Sequence, residues 1–283
     1  MEVDEPMRIA NVAGRASLLV DDGAVDIAGA SGGRFSPDPQ SLYDNWDAFR
    51  IWAATLGSAS TTPYDPSDLG PPVPRPGQVF GIGFNYRDHA VETNFELPAD
   101  PLTFTKFPSC ITGPNGVVAL SGDQVDWEVE LVIVIGRDAH RVPSADGWSV
   151  VAGVTVGQDI SDRYMQFRPP TPQFSLGKSF PGYGPIGPVV VTPEALADRD
   201  DLELGCTLNG QLMQKGRTSD MVFSVPELIA RLSTVVTLRP GDLIFTGTPA
   251  GIGLGRKPPV WLQPGDELRS FVTGVGEMVH NFR

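Results

Sequence analysis

Two glutamates one residue apart, Glu128 and Glu130, stand at the entrance to the apolar run Asp126-Trp127-Glu128-Val129-Glu130-Leu131-Val132-Ile133-Val134-Ile135-Gly136. β-Branched residues dominate the second half of the run and a glycine closes it, which predicts a β-strand over 127–135. Side chains on a strand alternate between faces, so Glu128 and Glu130 point the same way, as Val132 and Val134 do further along. Trp127, Val129, Leu131, Ile133 and Ile135 take the opposite face. Both faces are apolar from residue 131 onward, the pattern of a strand covered on both sides. Two carboxylates sharing a face there repel each other and resist desolvation, so they stay ionised only beside a compensating cation or metal. Hard divalent ions take oxygen sites of this kind. The plainer reading of the pair is an acidic strand end left in water. A second pair, His89 and Glu92, is three residues apart and shares a face if its segment is helical.

The elements that must position these groups can be read along the chain. Ser17 to Val20 and Ala24 to Ile27 flank Asp21-Asp22-Gly23 as a predicted hairpin within residues 8–28. Asp38 and Pro39 open a predicted amphipathic helix over 39–57, with Leu42, Trp46, Phe49, Ala53 and Leu56 at helical spacing. The proline-rich stretch from Thr61 to Gly77 reads as a stiff linker, with a domain boundary near residue 75. Short strands are expected around Phe80–Gly83, Leu102–Lys106, Gly116–Leu120, Val151–Val156, Val189–Val191 and Leu202–Asn209, the last reaching a turn at Asn209-Gly210. Ser224-Val225-Pro226-Glu227 is a capping box that starts a helix whose buried stripe is Leu228, Ile229, Leu232, Val235 and Val236. Pro240-Gly241-Asp242 turns into Leu243-Ile244-Phe245, and a similar Pro264-Gly265-Asp266 turn leads to closing strands. Few helices, many short strands and abundant Gly and Pro predict a mostly β (α+β) architecture.

Composition narrows the class. A chain of 283 residues with 41% hydrophobic and 19% charged residues is ordinary for a soluble globular protein and long enough to bury a core. A formal net charge of −13 argues against nucleic acid or an anionic membrane as partner. The amino-terminal residues lack the basic and apolar regions of a signal peptide, and no apolar run approaches the roughly 20 residues of a bilayer span. Cys110 and Cys206 have no metal-type spacing, so free thiols and a cytoplasmic location are expected.

Several motifs match by spelling and fail on context. Gly177-Lys178-Ser179 ends like a phosphate loop, but Pro172 replaces its first glycine. Gly81-Ile82-Gly83 lacks a third glycine, since Tyr86 stands there, and no βαβ unit follows. Gly29-Ala30-Ser31-Gly32-Gly33 spells a nucleophile elbow but leads into a proline-containing loop. His89, His140 and His280 form no zinc spacing.

The remaining pieces, in order, resemble the fumarylacetoacetate hydrolase family over roughly residues 78–275. They are Asn85-Tyr86-Arg87-Asp88-His89-Ala90-Val91-Glu92, Asp126 to Leu131, Asp159 with Arg163, Gly177-Lys178-Ser179-Phe180, Gly184-Pro185-Ile186-Gly187-Pro188 and Thr246-Gly247-Thr248-Pro249. The resemblance implies a rolled mixed β-sheet catalytic domain, here 76–283, preceded by a small amino-terminal domain and linker at 1–75. It also implies a homodimer and a divalent metal, magnesium or manganese, for which calcium can substitute in a crystal. Three carboxylates would hold it: Glu128, Glu130 and Asp159. His89 and Glu92 match the family's catalytic pair on a segment, Asn85 to Thr93, that closes over substrate, the carboxylate fixing the tautomer of the imidazole and raising its basicity. Lys178 matches the active-site lysine. Asn85, Tyr86, Arg87, Lys106, Arg163, Gly247 and Thr248 are the expected substrate contacts. Two departures stand near the pocket: Arg163-Tyr164 where the family often has Arg-Asp, and Lys178-Ser179-Phe180-Pro181 where it often has Lys-Ser-Phe-Asp.

The implied reaction is metal-dependent hydrolysis of the carbon–carbon bond in an acylpyruvate-type β-diketo acid, a small anionic 2-oxo acid. His89 would activate water, while the metal and Lys178 would hold the enolate that leaves. Lys106, Arg87, Arg163 and Lys178 are the cations available to oppose the acidic field of the chain. The rival readings are an oxaloacetate decarboxylase or an isomerase of unsaturated 2-oxo diacids in aromatic catabolism, and, from another class, a non-catalytic metal- or ligand-binding protein.

Overall fold

The computed structural model describes residues 6–21, 23–57, 60–88 and 98–283. Every residue of the strand Val129–Ile135 is buried, and it lies antiparallel between Val151–Gln158 and Leu243–Phe245. The sheet runs outward from there in both directions. Its order is Gly23–Asp26, Arg15–Val20, Arg8–Val12, Gly184–Val191, Val151–Gln158, Val129–Ile135, Leu243–Phe245, Val79–Gly83 and Leu102–Thr105. A second sheet comprises Gln211–Arg217, Glu203–Leu208, Glu267–Val272, Gly276–Phe282 and Asn115–Val118. Parallel pairs occur in both, so the fold is mostly β with mixed sheets, as expected.

The alternation of the central strand decides how the layers stack. Trp127, Val129, Leu131, Ile133 and Ile135 join a core with Leu204, Cys206, Leu268 and Met278 of the second sheet. Val132 and Val134 join another with Leu42, Trp46 and Phe49 from the amino-terminal helices. Burying each such side chain contributes about 1.5–3 kcal/mol, so the strand is held from both faces. The described amino-terminal residues share this architecture: Arg8–Val12 pairs with Gly184–Val191, Ile9 opposite Val190, and so extends the main sheet.

Local signals held in most places. Val20 pairs with Gly23 across the predicted hairpin, and Arg8–Val12 adds a third strand to it. Leu208 pairs with Gln211 around Asn209-Gly210, which take left-handed φ values of +51° and +79° as a type I′ turn requires. The Ser224 backbone N–H donates to Glu227 Oε2 at 2.9 Å, closing the capping box of helix Val225–Val235.

Two helical expectations need correction. The helix expected over 39–57 is two shorter ones, Ser41–Asp44 and Trp46–Ala53. Asn45 leaves helical geometry between them, at φ −126° and ψ 35°, a residue type that gives up little by doing so. Val235, expected in the buried stripe, is 83% exposed. Ser233 is buried instead, its hydroxyl accepting from the Val142 N–H at 3.0 Å.

Gly157 sits opposite Glu130 in the central pairing, and a Cβ there would lie 2.4 Å from Val132 Cγ2 and 2.8 Å from Phe245 Cε1. Neither a β-branched side chain nor a packed ring can yield cheaply. Gly157→Ala should therefore cost about 1–3 kcal/mol, the usual penalty of overpacking, read as a lower urea midpoint at unchanged m-value. An unchanged midpoint would contradict the packing described.

Candidate active site

The three expected metal ligands meet at one end of the central strand. Glu128 precedes the strand, Glu130 lies within it, and Asp159 follows its neighbour, where the Asp159 N–H donates to the Glu128 carbonyl at 2.9 Å. All three carboxylates are buried, and one oxygen from each lies within 4.8 Å of the others. Around them stand buried cations. Lys178 Nζ donates to Glu128 Oε2 at 2.6 Å and to Asp159 Oδ2 at 2.5 Å. Lys106 Nζ donates to Asp159 Oδ1 at 2.6 Å, to the Tyr183 carbonyl at 3.1 Å and to the Lys178 carbonyl. Arg163 bridges Glu128 Oε1, at 2.7 Å from Nη2, and Asp126 Oδ2, at 2.9 Å from Nε.

The charge states follow from this geometry. Burial alone would lower the Lys178 pKa, but the carboxylates of Asp159 and Glu128 outweigh it and hold the ammonium charged. The Arg163 guanidinium is likewise raised, Asp126 and Glu128 overcoming its desolvation. Glu130 is the exception: burial, then the charges of Asp159 and Glu128, push its carboxyl well above the usual range. Its Oε2 accepts from the Gly247 N–H at 2.7 Å, a donor that Gly247 presents from φ +98°. Three buried hard-oxygen donors, one of them strained by its like-charged neighbours, fit a divalent cation, which would reverse that repulsion. Among the described residues, and counting Asp126, four carboxylates meet three cations here, so a divalent ion would add positive charge where carboxylates are in excess.

A cavity of about 220 Å³ opens over this floor, with Glu128, Glu130, Arg163 and Lys178 at its base. Ile82, Phe104, Phe167, Phe174, Ile252 and Leu254 make up much of its wall. Of the expected substrate contacts, Arg163 and Thr248 line it. Lys106 and Gly247 lie behind the carboxylates and hold them. The Thr248 hydroxyl donates to the Val129 carbonyl at 2.8 Å and accepts from Gln214 Nε2 at 2.7 Å. Asn85, Tyr86 and Arg87 are not among the lining residues. The Asn85 amide is engaged with Phe223 and Thr246, at 2.7 to 3.0 Å, and Arg87 donates to the carbonyls of Asp220 and Met221 at 3.2 and 3.3 Å. Tyr86 is fully buried, and its hydroxyl has no partner among the described residues. His89 and Glu92 lie outside the described residues.

Three supporting residues escaped sequence reasoning. Asp126 accepts from the N–H groups of Trp127, Gly253 and Leu254 as well as from Arg163, fixing the loop at the cavity edge. Gln158 accepts from the Glu128 N–H at 2.9 Å. Gln214 accepts from the Val129 N–H at 3.0 Å, reaching in from the strand Gln211–Arg217 of the second sheet. Only Asp126 had a signal, its place beside the glutamates. Gln214 had none, because its strand carries little β-branched sequence.

This fold and this acidic floor define a class. Residues 78–283 match the fumarylacetoacetate (FAA) hydrolase C-terminal family model, and the chain belongs to that family, whose members are enzymes. The human protein named oxaloacetate tautomerase FAHD2A, mitochondrial, is 44% identical over 211 residues, covering 74% of this chain and 67% of that protein. The crystal structure of a candidate HpcE protein from Mycobacterium smegmatis superposes with a TM-score of 0.95 at 52% identity, covering 98% of this chain and 99% of that one. Maleylpyruvate hydrolase from Sphingobium sp. SYK-6, solved with manganese(II) and pyruvate, superposes with a TM-score of 0.78 at 30% identity over 98% of both chains.

Removing Asp126 would strip Arg163 of one of its two carboxylate partners and leave the N–H groups of Trp127, Gly253 and Leu254 without their acceptor. Asp126→Ala should therefore destabilise the protein by about 3–5 kcal/mol, measured by chemical denaturation. Glu128→Gln and Asp159→Asn should each abolish binding of manganese, followed by calorimetry or by its paramagnetic signal. Wild-type affinity in either variant would exclude that carboxylate as a ligand.

Proposed function

We propose that the enzyme hydrolyses the carbon–carbon bond of an acylpyruvate-type β-diketo acid. The observation that carries this reading is the convergence of Glu128, Glu130 and Asp159 beside the Lys178 ammonium on a cavity floor. Those three carboxylates would hold magnesium or manganese, and a cation bound there supplies a Lewis acid for the carboxylate and 2-oxo oxygens of the substrate. Lys178 offers fixed positive charge where negative charge develops on the pyruvyl part. Arg163 keeps Glu128 oriented and is itself anchored by Asp126. His89, oriented by Glu92, takes a proton from water as that water attacks the distal carbonyl. The bond between that carbon and the neighbouring methylene breaks, its electron pair passes to the pyruvyl fragment, and a proton completes the methyl group. The assignment of the dyad rests on the motif Asn85 to Glu92.

A second reading uses the same floor without an attacking water: tautomerisation or decarboxylation of oxaloacetate, or isomerisation of an unsaturated 2-oxo diacid. The name of the 44% identical human relative favours it. Family membership speaks against a non-catalytic binding protein. We further propose a homodimer in which residues 76–283 form the catalytic part and 1–75 an appended one, a division supported by the family match beginning at residue 78. Among the described residues no helix is long and apolar enough to cross a membrane. The buried, unpaired Cys110 and Cys206 support a cytoplasmic location, against which a mitochondrial one, as in the name of that relative, would be distinguished by fractionation.

The two reactions separate in one variant. Loss of a general base typically costs about two to four orders of magnitude, and His89→Ala should lower acylpyruvate hydrolysis by that much at saturating metal. Decarboxylation of oxaloacetate should survive the same substitution better, because loss of carbon dioxide needs neither an attacking water nor a base to activate it. Equal losses in both would remove His89 as the water-activating base.

A further inference from the structure

The cavity changes character from floor to mouth. Lys178 Nζ lies 5.0 Å from the centroid of the Phe104 ring, so the ionic floor gives way directly to an aromatic wall. Phe104 packs edge-on against Phe174 at 5.6 Å, and Phe174 against Phe167 at 6.2 Å, a continuous run of three rings leading outward. Phe104 comes from the edge strand Leu102–Thr105, Phe174 opens the short helix Phe174–Gly177, and Phe167 follows the helix Arg163–Gln166. Phe167 is 43% exposed, a large apolar ring held at a cavity mouth.

Charge at this wall is already committed. Among the described lining residues the cations are Arg163 and Lys178, and both donate to Glu128, at 2.7 and 2.6 Å. A substrate whose far end is a second carboxylate would set that charge against phenylalanine rings, a costly desolvation without a partner. A substrate with an alkyl or aryl end would bury apolar surface there, gaining with each carbon.

We propose that Phe104, Phe174 and Phe167 form the subsite for the acyl end of the substrate, and that they select an apolar alkyl or aryl group over a carboxylate. This rests on the reading of the floor as a 2-oxo acid site, and it names the substrate class: acylpyruvates with an apolar acyl group. Phe174, in the middle of the run, is the specificity-determining residue.

The test is calorimetric binding of 2-oxo acids to the manganese-loaded protein, which does not depend on turnover. Affinity should rise by about fourfold per added methylene from 2-oxopentanoate to 2-oxoheptanoate, the fold-change expected for a buried CH₂. 2-Oxoglutarate should bind about tenfold or more weaker than 2-oxopentanoate, its distal carboxylate being unpaired. Phe174→Ala should flatten the chain-length series, and Phe174→Arg should reverse the preference toward 2-oxoglutarate. Equal or tighter binding of 2-oxoglutarate by the wild-type protein, or a flat series, would overturn the subsite. Product analysis on the matching acylpyruvates separates the two claims. Rising affinity with no hydrolysis would leave the subsite standing and remove the hydrolase reading.

Discussion

Asp126, Glu128, Glu130 and Asp159 lie in the interior beside Lys106, Arg163 and Lys178, and the local structure is arranged to keep those charges paired. An ionised group in a low-dielectric interior is tolerated only when its partners are in place, so each segment that brings a charge must be fixed before the site is stable. The charges come from widely separated parts of the chain: the edge-strand end at Lys106, the central strand, the end of its neighbour at Asp159, and the loop at Lys178. Backbone donors complete the set, from Gly247 to Glu130 and from Gly253 and Leu254 to Asp126. Packing and electrostatics therefore meet in one place. The all-buried strand Val129–Ile135 supplies the rigid axis on which the carboxylates are mounted.

The same constraint reconciles an acidic protein with anionic substrates. A net charge of −13 sets up a repulsive field at long range, but the buried cations are held within 2.5 to 2.9 Å of carboxylates and act at short range. A divalent ion among Glu128, Glu130 and Asp159 would shift the local balance toward positive, so under the proposed function metal loading and recognition of a 2-oxo acid would be parts of one event. Beyond the floor the described lining turns aromatic, through Phe104, Phe174 and Phe167.

Several residues that looked suited to binding have their polar atoms engaged elsewhere. Asn85 ties its segment to the loops at Phe223 and Thr246, and Thr248 links the central strand to Gln214. Their place in the motif reflects the need to hold backbone at the cavity edge, where buried polar groups must find partners. Gln158 and Gln214 do comparable work with no mark in the sequence. Glutamine is common on surfaces, and only the tertiary context converts these two into struts.

The sequence by itself determined the central strand, its two-faced burial, the acidic pair at its entrance, the turns at Asn209-Gly210 and Pro240-Gly241-Asp242, and the capped helix from Ser224. These are short-range properties: alternation, β-branching, capping and turn chemistry act within a few residues. With Asp159 and Lys178, the order of the motifs also pointed to the family. Tertiary structure alone decided that the helix after Pro39 breaks at Asn45, that Ser233 and not Val235 faces inward, and that Lys106 stands behind Asp159. It also brought Phe104, Phe167 and Phe174 together from three elements into one wall. The contacts of Lys106 with Asp159 and of Phe104 with Phe174 join residues tens of positions apart, and no local pattern records them, because they exist only once the sheet has closed around its charged end.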